Sequence, residues 1–323
     1  MRLLVTGGCG FIGSCFVNSV FERADVEVLV NLDAMYYCAR VENVKESVRN
    51  SNRYKFVQGN IRSSDLVTHV LNEYDITHVI HFAAQSHVQN SFEDSLAFTK
   101  DNTLGTHVLL ECVRRYRSIA KFVHVSTDEV YGESLFGGDE EKKNEQTILC
   151  PTNPYAATKA AAELMAQAYQ HSFGVPVIVT RGNNVYGPNQ FPEKLIPRFI
   201  ELLRSNERVT IQGDGTAVRS FMHVTDAARA YIQILFYGSV GEIYNVGCDD
   251  GNEFSVRQVA DMLIQYVKPG EIPEKWIVYV PDRPFNDQRY YISNAKLREL
   301  GWEQRIDFRK GMSDLVQHYE EEG

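Results

Sequence analysis

The residues best suited to chemistry lie in two stretches separated by a polar loop. In the first, Ser126–Gly132, a hydroxyl and two adjacent carboxylates directly follow an apolar run. In the second, Tyr155 and Lys159 lie one helical turn apart. Together these groups could take a proton from an alcohol as a hydride leaves the same carbon, and then expel water from the neighbouring carbons.

The tyrosine and lysine form a Y-x-x-x-K pattern, which alone could be an exposed helical pair. Here Tyr155 and Lys159 share one face of a predicted helix that follows the carboxylates. A nearby ammonium group favours the phenolate and is expected to lower the pKa of Tyr155. Tyr155 is therefore predicted to act as a base toward a substrate hydroxyl, with Thr127 bonding the same oxygen.

The two carboxylates indicate an elimination. Oxidation of an alcohol to a ketone makes the neighbouring C–H acidic, and loss of a β-hydroxyl then needs a base and an acid. Glu129 and Asp128 supply such a pair, although neighbours in a strand point to opposite faces. Both can reach one ligand only if the strand has ended and turned. The alternative is two solvated loop acids.

A glycine-rich turn predicts a dinucleotide site. Strand Arg2–Thr6 runs into Gly7–Gly13, a G-x-x-G-x-x-G spacing, and then a helix. Such glycines allow a close approach to a pyrophosphate at the helix N-terminus, although alone they could form only a structural turn. Asp33, at the end of the second strand, can accept both adenosine ribose hydroxyls and would repel a 2′-phosphate, which favours NAD over NADP. The predicted cofactor contacts are Gly7, Gly10, Phe11, Ile12, Gly13, Asp33, Asn60, Ile61, Phe82, Ala83 and Ala84, with Tyr155 and Lys159.

Composition excludes several classes of partner. The 323 residues carry a formal charge of −9, which argues against nucleic acid and anionic membrane surfaces. Six scattered cysteines without a C-x-x-C pair are typical of reduced thiols, and we expect a cytoplasmic protein without a leader or membrane segment. Nine histidines show no metal-ligand spacing, so no metal is predicted.

Apolar runs alternating with helical segments predict an α/β fold. It is a Rossmann-type doubly wound parallel sheet with a smaller, interleaved C-terminal substrate-binding lobe. Residues 1–181 and about 224–250 are assigned to the NAD-binding domain, and residues 182–223 and 251–323 to the lobe. Strands are predicted at Arg2–Thr6, Val26–Leu32, Tyr54–Gln58, His78–Phe82, Lys121–Val125, Val175–Thr180 and Glu242–Val246. Helices are predicted at Gly10–Phe21, Phe92–Tyr116, Pro154–His171, Lys194–Ser205 and Val224–Phe236.

Five stretches spread over the chain resemble the nucleotide-sugar 4,6-dehydratases of the extended short-chain dehydrogenase/reductase superfamily. They are Gly7–Gly13, Ser126–Gly132, Tyr155–Lys159, Asn183–Pro197 and Asp282–Tyr290. In that family, NAD oxidises C4 of a hexose, water leaves from C5 and C6, and the hydride returns to C6.

The resemblance also implies individual roles. Tyr155 would be the base at the C4 hydroxyl, Lys159 its modulator and a ribose ligand, and Thr127 a partner of O4. Asp128 would protonate the leaving C6 hydroxyl, and Glu129 would take and return the C5 proton. The implied substrate contacts are Asn184, Lys194, Leu195, Arg219, Asn245, Arg283 and Asn286. Ser86 and His87 follow the fourth strand and are predicted to line the sugar pocket, although His87 could merely fill it.

The nucleotide is indicated by departures from one branch of the family. Gln85 and Gln212 stand where dTDP-glucose enzymes commonly carry glutamate and an aromatic residue. The sequence of Asn183–Pro197 is closer to that of plant-type rhamnose synthases, which act on UDP-glucose. This resemblance favours UDP-glucose as the substrate, with dTDP-glucose as the alternative. The remaining rivals are a 4-epimerase, a UDP-glucuronate decarboxylase and a catalytically silent NAD-binding sensor.

A small-residue surface on the Tyr155 helix indicates close packing or, by the resemblance, a homodimer interface. That surface consists of Ala156, Ala160, Ala161 and Ala168. Its expected partner in the dimer is part of Phe92–Tyr116.

Overall fold

A computed structural model describes residues 1–134, 141–282 and 285–321. Its strands are β1 (Arg2–Thr6), β2 (Val28–Asp33), β3 (Tyr54–Gln58), β4 (His78–His81), β5 (Lys121–Thr127), β6 (Val177–Gly182), β7 (Asn184–Tyr186), β8 (Val209–Gln212), β9 (Val218–His223), β10 (Ile243–Val246), β11 (Glu253–Ser255) and β12 (Ile277–Val280). Its α-helices are α1 (Phe11–Val20), α2 (Glu46–Arg49), α3 (Ser64–Glu73), α4 (Val88–Glu93), α5 (Ser95–Phe98), α6 (Gly105–Tyr116), α7 (Pro154–Phe173), α8 (Leu195–Arg204), α9 (Val224–Tyr237), α10 (Val256–Val267), α11 (Ala295–Glu299) and α12 (Phe308–Glu321).

The central sheet has seven parallel strands in the order β10-β6-β5-β4-β1-β2-β3. All seven predicted strands are present, with ends shifted by one or two residues. Their apolar side chains are buried on both faces, where two hydrophobic clusters cover the sheet. The predicted doubly wound Rossmann-type fold is confirmed. The loops at the carboxyl ends of β1, β2, β4 and β5 therefore lie along one edge, where open α/β sheets bind ligands.

A third hydrophobic cluster lies in the C-terminal half, formed by side chains between Tyr186 and Val316. It packs around two small sheets, one ordered β11-β9-β7 and the other β12-β8. Helix α9 follows β9 in sequence, but it packs mainly on α1, in the helix layer of the central sheet. The chain thus returns to the first layer after β9, and β10 then joins the central sheet.

The predicted helix Phe92–Tyr116 is wrong as one continuous element. The structure divides it into the end of α4, helix α5, a π-helical turn at Thr99–Leu104, and α6. Asp94 breaks the run because its non-helical backbone ends one helix and starts the next, which its side chain caps at Ala97. The π-turn aims Asn102 at the loop after β4, where its amide bonds both the N–H and the carbonyl of Gln85.

Among the described residues, no helix combines the length and apolar character that crossing a membrane requires. In the same ranges, His, Cys, Asp and Glu side chains form no group of three or more that could hold a metal ion.

Candidate active site

A cavity of about 280 Å³ lies along the carboxyl edge of the central sheet. Every residue predicted to bind the cofactor lines it, from the glycine turn to Tyr155 and Lys159. Thr127, Ser86 and Lys194 line it as well. The cavity therefore connects the predicted dinucleotide site with the predicted reacting groups.

The glycine turn is built so that side chains would not fit. Gly7 has a φ of +74°, and a Cβ there would lie 2.6 Å from the Ala83 backbone nitrogen. A Cβ on Gly13 would lie 2.2 Å from the Gly7 carbonyl oxygen. Both contacts are far inside normal separations, so these glycines hold α1 close to β1 and leave its N-terminus open toward the cavity.

Asp33 is the one acidic side chain at the end of β2, and its orientation is set by the backbone. Its carboxylate accepts hydrogen bonds from the N–H groups of Cys9 and Met35, each at 2.8 Å. Burial raises the pKa of Asp33, while these two bonds oppose the rise. The fixed carboxylate lines the cavity together with the glycine turn.

The backbone of the Thr-Asp-Glu segment leaves the strand conformation, in which two neighbouring acids would point to opposite faces of the sheet. Strand β5 ends at Thr127, and a 3₁₀ turn at Asp128–Tyr131 follows. The Thr127 hydroxyl caps this turn by accepting a hydrogen bond from the Glu129 N–H at 3.3 Å. Because the strand has ended, Asp128 and Glu129 no longer alternate across a sheet.

Asp128 is an acid adapted to hold a proton near neutral pH. Its side chain is buried, with Oδ2 accepting a hydrogen bond from Asn183 at 2.7 Å and Oδ1 one from Thr127 at 3.2 Å. Burial and the neighbouring Glu129 carboxylate raise the pKa of Asp128 to about 7, against the opposing bond from Asn183. Such a group can donate a proton at neutral pH and take one back.

Glu129 has a different set of partners. Asn153 donates a hydrogen bond to its Oε2 at 3.0 Å, and the Tyr290 hydroxyl lies 3.4 Å from the same oxygen. Burial raises the pKa of Glu129, while the bond from Asn153 and the charge of Arg219 lower it. The two adjacent acids thus lie in distinct surroundings, as an acid and base pair requires.

Tyr155 and Lys159 are both buried on α7. Lys159 Nζ donates a hydrogen bond to the Val125 carbonyl at 2.7 Å, and burial lowers its pKa to about 8. Lys159 was expected to bring the pKa of Tyr155 below its ordinary value. In the protein without cofactor or substrate this expectation is wrong. Burial and the Glu129 carboxylate raise that pKa, and the hydrogen bond with Thr127 opposes the rise.

Several predicted substrate residues form hydrogen bonds between neighbouring segments, and two of them, Ser86 and Lys194, line the cavity. Lys194 Nζ, at the start of α8, donates to the Ser86 carbonyl at 2.7 Å. Arg219 donates to Asn286 Oδ1 at 3.2 Å, which joins β9 to the loop before Tyr290. His87 Nδ1 lies 2.8 Å from Asn90 Oδ1, at the mouth of the same region.

Other predicted substrate residues do not join this group. Asn245 has no exposed surface, and its amide bonds the Tyr131 hydroxyl and the Lys143 carbonyl, so it supports the 3₁₀ turn and is not available to a ligand. Leu195 packs on the third hydrophobic cluster, and Asn184 is exposed in β7. Arg283 lies outside the described residues.

Sequence reasoning missed the amides and the tyrosine that hold the two acids. Asn153 precedes Pro154 and caps α7, which is a recognisable helix-start signal. Asn183 and Tyr290 belong to stretches already singled out, but no local pattern predicts that they reach Asp128 and Glu129. Tyr37 was also missed, and its hydroxyl donates to the Glu193 carboxylate across the cavity mouth.

Known proteins resemble this chain in sequence and in fold. The sequence model of the GDP-mannose 4,6 dehydratase family matches residues 4–315. A trifunctional UDP-glucose 4,6-dehydratase, epimerase and reductase of Arabidopsis thaliana is 46% identical over 98% of this chain, which spans about half (47%) of that relative. A human dTDP-D-glucose 4,6-dehydratase is 43% identical, over 99% of this chain and 90% of the relative. The crystal structure of a Streptomyces venezuelae dTDP-glucose 4,6-dehydratase with bound NAD superimposes with a TM-score of 0.93 and 37% identity, covering 99% of this chain and 97% of that one.

Proposed function

The chain belongs to the GDP-mannose 4,6-dehydratase family of the extended short-chain dehydrogenases/reductases, and we propose that it dehydrates a nucleotide-diphosphate glucose to the 4-keto-6-deoxy sugar. It is a hydro-lyase, like the relatives named as 4,6-dehydratases. One observation carries this proposal: the buried acid Asp128 and the base Glu129 lie on one turn beside Tyr155 and Lys159. Oxidation alone needs no such pair of acids.

The residues of the cavity fit NAD. The turn leaves no room for a side chain at Gly7 or Gly13, and Asp33 presents a fixed carboxylate suited to two ribose hydroxyls. Asn60 and Ala83 line the cavity beyond them, and Lys159 reaches it from α7. When bound there, NAD supplies an acceptor that takes the hydride from C4 of the sugar and later returns it to C6.

The protein's own residues move the protons. Tyr155 takes the proton of the C4 hydroxyl, assisted at the same oxygen by Thr127. Glu129 then takes the C5 proton, made acidic by the C4 ketone, as Asp128 protonates the departing C6 hydroxyl. Glu129 finally returns its proton to C5, and the proton that Tyr155 gained replaces the one that Asp128 gave up, so that both groups are restored. The raised pKa of Asp128, about 7, supports its role as the acid.

We infer that the nucleotide sugar binds between the sheet edge and the lobe formed by residues 182–223 and 251–323. Arg219 and Lys194 supply positive charge against the diphosphate in a chain of net charge −9. Arg283, Asn184 and Leu195 remain proposed contacts.

UDP-glucose is the favoured substrate. The trifunctional plant relative named for UDP-glucose supports it, as do Gln85 and Gln212. Gln85 donates to Asp101 at 3.0 Å, so its amide helps hold the loop above the sugar region. The second candidate is dTDP-glucose, which the human and Streptomyces relatives favour by name. The 4-keto-6-deoxy product would lead to rhamnose or another deoxysugar.

The deciding experiment gives the purified protein UDP-glucose and dTDP-glucose separately, without added NADH, and follows products by mass. Loss of one water from one donor, with no net change of cofactor, is expected and identifies the nucleotide. Asp128→Asn is the matched variant because it keeps the shape but not the acid. An isomer of unchanged mass would instead indicate an epimerase, and loss of carbon dioxide from UDP-glucuronate a decarboxylase. Bound NAD without turnover of any nucleotide sugar would indicate a silent sensor.

We also propose a cytoplasmic homodimer. Leu164 on α7 and Leu104 next to α6 are exposed apolar side chains on the helix pair expected to form the interface, with exposures of 56% and 47%. Six free cysteines suit a reducing compartment. Light scattering on the wild type and on Leu164→Glu tests the assembly, since a dimer through this face would dissociate in the variant. A variant that stays dimeric would contradict this face.

A further inference from the structure

A buried tyrosine and aspartate lie beside Glu129. Tyr290 and Asp287 are only 4% and 2% exposed. The Tyr290 hydroxyl is 2.5 Å from Asp287 Oδ2 and 3.4 Å from Glu129 Oε2, so it lies between two carboxylates. The contact of Tyr290 with Glu129 links the pair to the proposed reacting groups.

The direction of the Tyr290 hydroxyl follows from these distances. A phenol has one hydrogen to donate, and the shorter contact commits it to Asp287. Thr152 also donates to Asp287, at 2.8 Å and 2.9 Å from its two oxygens, which keeps that carboxylate an acceptor. The Tyr290 oxygen therefore presents a lone pair to Glu129, which suits a protonated Glu129 better than an ionised one.

The surrounding chain holds this pair in place. The Val218 N–H donates to the Gln288 carbonyl at 2.7 Å, and the Ser134 N–H donates to the Arg289 carbonyl at 2.9 Å. The Arg219 guanidinium lies 4.6 Å from the centre of the Tyr290 ring. The segment that carries both residues is thus fastened to β9 and to the end of the 3₁₀ turn.

We propose that Tyr290 and Asp287 are positioning residues that direct a hydroxyl lone pair at Glu129 and so hold the proton that Glu129 takes from C5 until it returns. This proposal rests on the proposed dehydration. The proton leaves C5 for Glu129 Oε2, the new O–H donates to Tyr290, and Tyr290 keeps its own hydrogen on Asp287. No proton is gained or lost in this step, and no other reactant is required.

The charges that face Glu129 come from several elements. Asp287 and Asp128 are negative neighbours, Arg219 and Lys194 are positive ones, and Tyr155 and Tyr290 are neutral phenols. Burial and Asp287 raise the pKa of Glu129, while Asn153, Arg219 and Lys194 lower it. Removing the Asp287 charge should therefore lower the pKa of Glu129 and make it a weaker base.

The test compares Asp287→Asn, Tyr290→Phe and the double variant with wild type, using substrate that carries hydrogen or deuterium at C5. Asp287→Asn should slow elimination about tenfold and increase the isotope effect on kcat, with C4 oxidation retained. The acid limb of the kcat profile should move to lower pH by about one unit. In the Tyr290→Phe background, Asp287→Asn should have a smaller effect than in wild type, because the lone pair that Asp287 directs is already gone and only its charge still acts on Glu129.

An unchanged isotope effect and acid limb in Asp287→Asn would overturn the proposal. So would an additive double variant, since the two residues would then act separately. Thr152→Ser is the control, because it keeps the hydroxyl that bonds Asp287 and should behave as wild type. If the single variants fail to fold, Thr152→Val removes a donor that disperses the Asp287 charge, so the acid limb should move to higher pH, and no shift or a shift to lower pH would count against the proposal. Absence of dehydration by wild type would instead refute the proposed function.

Discussion

Asn153 joins the base Glu129 to the start of the helix that carries Tyr155. Its Nδ2 donates to Glu129 Oε2 at 3.0 Å, while its Oδ1 accepts from the Ala156 N–H at 2.9 Å. One amide side chain therefore sets the position of Glu129 relative to Tyr155. The amide performs both tasks without adding charge, because its oxygen caps the helix while its nitrogen donates to the carboxylate.

Asn153→Ala should destabilise the protein by about 1 kcal/mol through loss of the cap and should also reduce kcat. Asn153→Asp is the matched variant, because aspartate restores the cap but places a second negative charge beside Glu129. We expect it to regain stability, as measured by thermal unfolding, without regaining activity. Full recovery of kcat in Asn153→Asp would contradict the role given to the amide hydrogen.

Asp128→Asn should lower the rate of elimination by about 10²-fold to 10⁴-fold, the usual contribution of a positioned acid. C4 oxidation does not need this acid, so it should persist. Rapid mixing with substrate, following the reduced cofactor by absorbance and the product by mass, separates the two steps. Equal loss of both steps would mean that Asp128 does not act as the leaving-group acid.

The basic limb of the pH profile should report Asp128, whose pKa of about 7 requires it to lose its proton above neutral pH. Asn183→Ala removes a hydrogen bond that lowers this pKa, so Asp128 should stay protonated to higher pH. The basic limb of kcat is therefore expected to move upward in Asn183→Ala. A downward shift, or none, would assign that limb to another group.

Asp33→Asn should weaken discrimination against NADP. The wild-type carboxylate would repel a 2′-phosphate, and removing that repulsion should narrow the ratio of the NADP and NAD dissociation constants about tenfold, or about 1.4 kcal/mol. Calorimetric titration of protein freed of cofactor measures both constants. Asp25→Asn is the control, because this exposed aspartate lies near the N-terminal ends of β1 and β2, opposite the carboxyl end that carries Asp33, and it should leave the ratio unchanged.

His124→Leu should make the protein less sensitive to acid. His124 is fully buried, neither ring nitrogen has a hydrogen-bond partner among the described residues, and burial lowers its pKa well below the ordinary value. The unfolded chain binds a proton below pH about 6.5 that the native state does not, so native stability falls as pH falls. Below about pH 6, the free energy of unfolding of the variant should fall by about 1.4 kcal/mol less per pH unit than that of wild type. Denaturant unfolding at several pH values measures this difference. Parallel stability curves for the two proteins would show that His124 does not titrate on unfolding.

The sequence by itself determined the features that depend on local order. Short apolar runs, separated by helical segments, predicted the seven strands of the sheet. They could do so because a parallel strand that is buried on both faces needs continuous apolar side chains. The glycine turn, Asp33 and the Tyr155–Lys159 pair were also readable, since each depends on spacing within one turn or one strand end. The main local error was the helix 92–116, where the capping role of Asp94 and the π-turn interrupt a helical pattern.

Only the tertiary structure decided which side chains surround the two acids. Asn183 meets Asp128 across 55 positions of sequence, and Tyr290 meets Glu129 across 161. Such contacts depend on how β6 and the loop before Tyr290 return to the end of β5, and no local pattern encodes that return. Burial also reversed the expected direction of the Tyr155 pKa, because desolvation depends on all the neighbours at once and not on the nearest lysine in sequence.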